Sequence, residues 1–257
     1  MSEKKYIQIG STPEKALSGE YKIDAKAILK EGWLLTKTTK QPILSGLLLI
    51  FSFGVLITLL LSESMGGLEL VREDPQSQMI INIVVTLTLS PFIAGVEMMG
   101  ISHAVGLKSK TGFVFQFLKR SAFVAIAALF ISSLTSLGMY LIIPGIYLAV
   151  ALSLAIPLIV EKGMSPTAAI VLSIKATRFQ WLNMFKVYLA LLAAAFVCIL
   201  PFAIGVPPVI ALVLMMIGVA FLAPWYYNVK GILYREIFGV TMQVSPGSND
   251  QDMYFSA

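Results

Sequence analysis

The sequence predicts an all-α integral membrane protein with six transmembrane helices in three hairpins, each hairpin preceded by a cytoplasmic interfacial amphipathic helix. Composition is the first reason: hydrophobic residues make up 57% of the 257 residues and charged residues 13%, against ~45–50% and ~25% in soluble domains. Long apolar runs are the second reason, because a hydrocarbon core of ~30 Å requires about 20 apolar residues per helix. The distribution of basic residues is the third reason, and it also predicts the orientation of the chain.

Six apolar runs are candidates for membrane spans. They lie, in chain order, at residues 43–61, 79–105, 121–143, 146–160, 183–200 and 209–227. Their apolar residues are consecutive rather than alternating, which favours helices over the strands of a membrane barrel. Pro144 and Gly145 separate the third run from the fourth and predict a tight hairpin turn. The fourth run is short, so we expect either a locally thinner bilayer or a helix that continues past Glu161.

Lysine and arginine residues are concentrated on one side of the predicted bundle. They occur before the first run, between the second and third, around the start of the fifth and after the sixth, whereas Arg72 alone lies on the opposite side. Loops rich in Lys and Arg remain in the cytoplasm, so both termini are predicted to be cytoplasmic. Residues 1–23 and 239–257 are predicted to be polar cytoplasmic tails of a membrane domain at residues 24–238.

Aromatic residues at the ends of the runs are consistent with this layout. Trp33, Trp181 and Trp225 are predicted at the inner membrane boundary, and Tyr140 and Tyr147 at the outer boundary. Trp and Tyr favour these interfaces because one part of each side chain is apolar and the other polar.

A basic amphipathic segment precedes each odd-numbered run. The segments lie near residues 24–36, 113–120 and 165–181, and each is predicted to lie in the inner interface with its basic side toward lipid phosphates. The candidate phosphate contacts are Lys26, Lys30, Lys119, Arg120, Lys175 and Arg178. Anionic membrane lipid is therefore the predicted partner, and nucleic acid is not. The alternative is that these segments only anchor the spans.

Glu97 is the acidic residue that lies well inside a predicted span. A charge at the bilayer centre costs ~2.5–3.5 kcal/mol on insertion scales, which makes Glu97 a candidate for an intramembrane function. Its helical neighbours Ser90, Ala94 and Gly100 form a small-residue face that predicts helix packing around it. Glu97 lies ~27 Å along the span, near the inner boundary, so a structural or interfacial role is the alternative to a proton or substrate role. His103 is a second candidate, but it lies ~120° around the helix from Glu97 and direct pairing is not expected.

The sequence contains no motif of a familiar catalytic or metal site. It has no G-x-S-x-G, H-E-x-x-H, Walker glycine loop or G-x-G-x-x-G pattern. One histidine and one cysteine, Cys198, cannot supply a zinc site. We therefore expect no cofactor, no metal and no enzymatic activity.

Four short segments resemble a group of bacterial six-span inner-membrane proteins. They are LIIPGIYLA at residues 141–149, IPLIVEKGMSP at 156–166, ILKEGW at 28–33 and MGISHAVG at 99–106. The group is that of the YciC-type proteins and of the membrane domain attached to some glycerophosphodiester phosphodiesterases. The resemblance implies a noncatalytic membrane module in a Gram-negative-type inner membrane, and it supplies no catalytic residues.

These observations lead to one functional hypothesis and its alternatives. The hypothesis is a noncatalytic bacterial inner-membrane protein with a scaffold or envelope-maintenance role, which acts through lipid, a membrane-protein partner or a second copy of itself. The first alternative is a small-solute or lipid carrier that uses Glu97 as its coupling group. The second alternative is a lipid-modifying enzyme.

Overall fold

The computed structural model of the protein describes residues 5–244 and 253–255, which form ten α-helices and three short strands. The helices are α1 Pro13–Ser18, α2 Ala25–Ser64, α3 Leu68–Glu73, α4 Pro75–Ala104, α5 Ser121–Met139, α6 Ile143–Ala151, α7 Ala155–Glu161, α8 Pro166–Thr177, α9 Trp181–Ala203 and α10 Pro208–Phe238. The strands are β1 Lys5–Ile9, β2 Val240–Val244 and β3 Met253–Phe255. Three 3₁₀ turns lie at Thr111–Phe115, Leu118–Arg120 and Arg178–Gln180.

The predicted membrane class is confirmed. Within the described residues, six helical segments are long and apolar enough to cross a bilayer. They are α2, α4, Thr111–Met139, Ile143–Glu161, Pro166–Ala203 and α10. The chain is a multi-pass α-helical membrane protein, because helices satisfy their own backbone hydrogen bonds in lipid.

The predicted amphipathic segments do not form three separate helices. The first is the inner part of α2, which begins at the cap residue Asp24 and continues for 40 residues through Pro42. The second is a pair of 3₁₀ turns, and only the third, α8, is a helix of its own. The first prediction, of a separate helix before the span, was wrong because a single proline removes one backbone hydrogen bond without ending the helix.

The fourth segment is broken inside the protein. Residues 152–154 separate α6 from α7, and α6 begins at the predicted Pro144-Gly145 turn. The Ser153 hydroxyl donates to the Val150 carbonyl at 2.7 Å, and the Ser173 hydroxyl donates to the Ala151 carbonyl at 2.6 Å. The Val150 carbonyl also accepts from the Ser153 backbone N–H at 3.3 Å, so the two hydroxyls add hydrogen bonds to the carbonyls at the end of α6.

One contact contradicts the predicted positions of two aromatic residues. Trp181 Nε1 donates to the Tyr147 carbonyl at 3.3 Å, and the two rings stack with centroids 5.6 Å apart. Tyr147 and Trp181 therefore cannot lie at opposite membrane boundaries. The sequence predicts one helix at residues 146–160, whereas that segment breaks at residues 152–154 and Tyr147 of α6 stacks on Trp181 at the start of α9.

Both segments predicted as tails are folded where the structure describes them. β1 pairs antiparallel with β2, with Ile7 opposite Met242, and β2 pairs with β3. Ala16 of α1 and Ile23 are buried, and the Tyr21 hydroxyl donates to the Ala176 carbonyl of α8 at 2.6 Å. Burial raises the pKa of Tyr21 to about 12.

The main core lies at the end of the bundle that holds α1 and β2, which we call the inner end without reference to a side of the membrane, rather than midway along the long helices. It contains residues of α4, α7, α8 and the last turns of α10, and the two chain ends pack against it. A second, smaller cluster joins α2, α4 and Val114. The outer parts of α2, α9 and α10 instead expose large apolar side chains, as a lipid-facing surface does.

Candidate functional site

Two glycines bring α4 and α10 into backbone contact. A Cβ atom at Gly100 would collide with the carbonyl oxygen of Tyr227, and a Cβ atom at Gly231 would collide with the carbonyl oxygen of Gly100. Both positions therefore require glycine, as do many close helix contacts in membranes. Side chains near this contact on either helix can reach the other helix directly.

Glu97 and Lys230 form a buried ion pair beside this contact. Lys230 Nζ donates to Glu97 Oε1 at 2.5 Å, and each side chain is 7% exposed. Glu97 Oε2 has no hydrogen-bond partner within the described residues. Removal of one member of such a pair costs ~3–5 kcal/mol, because the remaining charge is left buried and unpaired.

Sequence reasoning missed Lys230 as the partner of Glu97. It placed Lys230 in the charged segment after the sixth apolar run, which ends at residue 227. In the structure α10 continues to Phe238, and most residues of its last three turns are buried. The available signal was the pattern around Lys230, where apolar residues and Gly231 continue at helical spacing instead of giving way to a polar tail.

His103 lies in a separate polar network, also with α10. His103 Nδ1 is 2.8 Å from Asn228 Oδ1, and His103 Nε2 is 2.8 Å from Ser109 Oγ. Asn228 Nδ2 in turn donates to the hydroxyls of Thr36 and Thr39 on α2, at 3.1 and 3.3 Å. The amide oxygen of Asn228 accepts, so a neutral ring that donates from Nδ1 and accepts at Nε2 satisfies every group. Glu97 and His103 thus have different partners on α10 and no hydrogen bond joins them.

The inner end of α10 carries two further polar clusters. Tyr234 Oη donates to Glu161 Oε2 at 2.8 Å, and the Thr241 backbone N–H donates to Glu161 Oε1 at 2.8 Å. Arg235 contacts both carboxylate oxygens of Glu31, at 2.7 and 3.1 Å, and the Ala104 carbonyl at 2.7 Å. The last turns of α10 are therefore bonded to α2, α4 and α7, and Glu161 also joins α7 to β2.

The predicted phosphate contacts are distributed over the inner surface. Lys26, Lys30, Lys119, Lys175 and Arg178 are exposed, and Arg120 is half-buried. The Arg120 guanidinium lies against Gly163, where a Cβ atom would be 2.8 Å from its terminal nitrogen. Of the six, only Arg178 lines a cavity described below.

A groove at the junction of α8 and α9 combines cations with stacked aromatic rings. Its volume is ≈ 430 Å³, and we call it the α8–α9 groove. Its lining residues are Tyr147, Arg178, Phe179, Gln180, Trp181, Leu182, Asn183 and Lys186. Trp181 stacks between Tyr147 and Phe185, at centroid distances of 5.6 and 5.1 Å. Positive charge beside interfacial aromatic rings is the combination that attracts anionic lipid headgroups.

The described residues contain no group of three or more His, Cys, Asp or Glu side chains able to hold a metal ion.

No protein-family model, curated protein or solved structure matches the chain.

Proposed function

We propose that the protein is a noncatalytic scaffold of a bacterial inner membrane that binds anionic lipid headgroups at its cytoplasmic surface. The observation that carries the proposal is the α8–α9 groove, in which Arg178 and Lys186 flank the stacked rings of Tyr147 and Trp181. A lipid phosphate would accept hydrogen bonds from the two cations, and the rings would hold the glycerol region at the interface. The resemblance to six-span inner-membrane proteins and the concentration of basic residues on one side support the same membrane and orientation, with both termini cytoplasmic.

The folded state supports a scaffold rather than a catalyst. The buried ion pair and the His103 network tie α4 to α10 with little room for motion between them. Strands β1, β2 and β3 form a small sheet whose residues Val240 and Met242 pack in the main core. A rigid bundle with a basic inner surface is suited to organising lipids or a membrane-protein partner.

Lipid retention in nanodiscs tests the proposal. The purified protein is assembled with phosphatidylglycerol and phosphatidylcholine, and the lipids that remain after mild delipidation are counted by native mass spectrometry. We expect phosphatidylglycerol to be enriched, and Arg178→Ala with Lys186→Ala to lower its retention ~10-fold or more, since each surface cation contributes ~1 kcal/mol. Lys108→Ala, an exposed lysine outside the groove, is the matched control and should have little effect. Equal retention of both lipids by wild type, or no loss in the double variant, would contradict the proposal.

The carrier alternative remains a proposal with one observation in its favour. Glu97 Oε2 has no partner within the described residues, so a coupling proton could bind there. Glu97→Gln alone does not decide the question, because it leaves Lys230 buried without its counterion. The paired variant Glu97→Gln/Lys230→Gln removes both charges together. Full rescue of a deletion strain by this variant excludes Glu97 as a coupling group, and loss of rescue by a variant that still folds favours the carrier.

A further inference from the structure

A second cavity lies between α9 and α10, away from the α8–α9 groove. Its volume is ≈ 370 Å³, within the ~300–1,000 Å³ range of small-molecule sites. Leucine, valine and alanine side chains form its walls, and Tyr188, Tyr226 and Tyr227 form one end. Leu192 and Val219, on its two sides, are 52% and 45% exposed and belong to the lipid-facing surface. An occupant would therefore enter from the bilayer rather than from water.

The tyrosine end of this cavity contains an unsatisfied hydroxyl. Tyr188 Oη is buried and has no hydrogen-bond partner within the described residues. The Ser153 hydroxyl, in the break between α6 and α7, is the neighbouring polar group; it donates to the Val150 carbonyl, and no hydrogen bond joins it to Tyr188 in the described structure. A buried phenol without an acceptor costs free energy, and buried polar groups in proteins nearly always have partners. Tyr188 Oη is therefore unpaired in the described structure, and an acceptor on an occupant of the cavity would satisfy it.

A second unsatisfied atom lies near the same end. Glu97 is 6% exposed and its Oε2 atom has no partner in the described structure. Its partner Lys230 lies three residues along α10 from Tyr227, which lines the cavity. The pairing of Glu97 with Lys230 leaves this end of the cavity without net charge. A neutral polar group is therefore better suited to it than an ion.

We propose that the α9–α10 cavity binds one acyl chain of a membrane phospholipid, whose ester carbonyl accepts a hydrogen bond from Tyr188 Oη. The apolar walls and the lipid-facing opening suit the acyl chain, and the phenol suits a neutral acceptor. Tyr is well placed for this role, because its ring packs against the chain while its hydroxyl bonds the polar group. The site is independent of the headgroup contacts proposed for the α8–α9 groove, so either proposal can fail without the other.

Photocrosslinking tests this site directly. The full-length protein is reconstituted into vesicles of phosphatidylethanolamine that carry a diazirine in one acyl chain, illuminated, digested and mapped by mass spectrometry. We expect labelling of residues 188–195 and 219–227 to exceed, by fivefold or more, labelling of residues 48–60 on the exposed outer part of α2. Ala195→Phe fills the cavity and should remove this excess. Ala193→Phe makes the same change at an exposed position two residues away and should preserve it.

Tyr188→Phe tests the hydrogen bond and keeps the ring. We expect the excess labelling to fall two- to fivefold, while labelling of residues 48–60 stays constant and shows that the variant is folded. In detergent without phospholipid, the same variant should melt at a temperature equal to or above that of wild type, because it removes an unsatisfied hydroxyl. Uniform labelling of all lipid-facing helices in wild type, or unchanged labelling in Ala195→Phe or Tyr188→Phe, would overturn the proposal.

Discussion

The two halves of α10 lie in different surroundings, and different properties of their side chains determine how they pack. In the outer half, residues 208–219, Ala211 alone is buried, and large apolar side chains face outward. In the inner half, residues 228–238, most side chains are buried, and four of them bond to other elements. Lipid is fluid and accepts any apolar surface, whereas a packed protein interior accepts only complementary shapes and paired polar groups. Hydrophobicity is therefore enough to specify the outer half but not the inner half.

The same contrast applies to the other long helices. The outer part of α2 exposes Leu48, Phe51 and Leu60, whereas its inner part packs Gly32 against Val229 and hydrogen-bonds Thr36 to Asn228. Close contacts and hydrogen bonds between helices are thus concentrated at the inner end of the bundle, and we expect most of the stability to arise there. Variants that make the same chemical change in both halves can test this difference.

The largest difference in stability loss between the two halves is expected when glycines of α10 are replaced by alanine. Gly231→Ala places a methyl group against the backbone of α4 at Gly100, which cannot move without separating the helices. We expect a loss of at least about 3 kcal/mol, or no folded protein at all. Gly218→Ala, in the outer half, meets the Cys198 side chain, which can rotate away, so its loss should be much smaller. Thermal melts in one detergent compare the two, and equal losses would refute the contrast.

The buried ion pair should give the next largest effect. Lys230→Met leaves Glu97 buried without a counterion, and we expect a loss of ~3–5 kcal/mol in the free energy of unfolding. Addition of Glu97→Gln should restore most of this loss, because the two residues interact directly. Lys26→Met, at an exposed position, serves as the control for loss of one positive charge. A double variant as unstable as the single one would show that the pair itself is not the source of the effect.

Two valines of α10, one in each half, allow the same comparison with a smaller expected effect. Val229 is fully buried against α2, whereas Val213 is 50% exposed on the outer half. Val229→Ala should cost about 2 kcal/mol through lost contacts and a cavity. Val213→Ala should remain within about 0.5 kcal/mol of wild type. Reversible unfolding in mixed micelles measures both, and a similar cost at the two positions would mean that the outer half is also tightly packed in its native environment.

The smallest effect is expected from Tyr21, which joins the N-terminal segment to α8. Burial raises the pKa of Tyr21 to about 12, above its ordinary value of 10. The neutral phenol is therefore favoured in the folded state, and its contribution is complete below pH 10 and lost as the pH rises to about 12. The stability advantage of wild type over Tyr21→Phe should decline across this range when melting temperatures are measured from pH 8 to 12. A difference that does not change with pH would show that Tyr21 titrates alike in folded and unfolded chains.

The fold class could be predicted because membrane helices are specified by local hydrophobicity. The apolar runs and the turn at Pro144 and Gly145 correspond to helical segments and a helix start in the structure. The ends of α2 and α10 could not be predicted in the same way. Both helices continue into polar sequence. In α10 the polar residues Asn228 and Lys230 are buried against protein. In α2 the residues Ile28, Gly32 and Thr36 are buried, and most of the lysines remain exposed. Hydropathy does not measure such contacts between distant helices.

Of the two residues in the candidate ion pair, only Glu97 could be predicted from the sequence. Glu97 stands out because an acid in an apolar run is rare, and its burial follows from the small residues around it. Its partner Lys230 and the Asn228 partner of His103 lie more than 120 positions away along the chain, so no local pattern could pair them. The basic residues are all evident in the sequence. Their grouping is not, because only the fold shows that Arg178 and Lys186 line the same groove.

By itself, the sequence determined that this protein lies in a membrane, how many apolar helices it has and which single acid is unusual. These properties depend on the transfer of each segment from water to lipid, which is a sum over neighbouring residues. Only the tertiary structure decided which cation neutralises Glu97, where the fourth segment breaks, and why Tyr147 and Trp181 lie together. Those outcomes depend on shape and charge complementarity between distant parts of the chain, because buried polar groups must find partners wherever the fold brings them together.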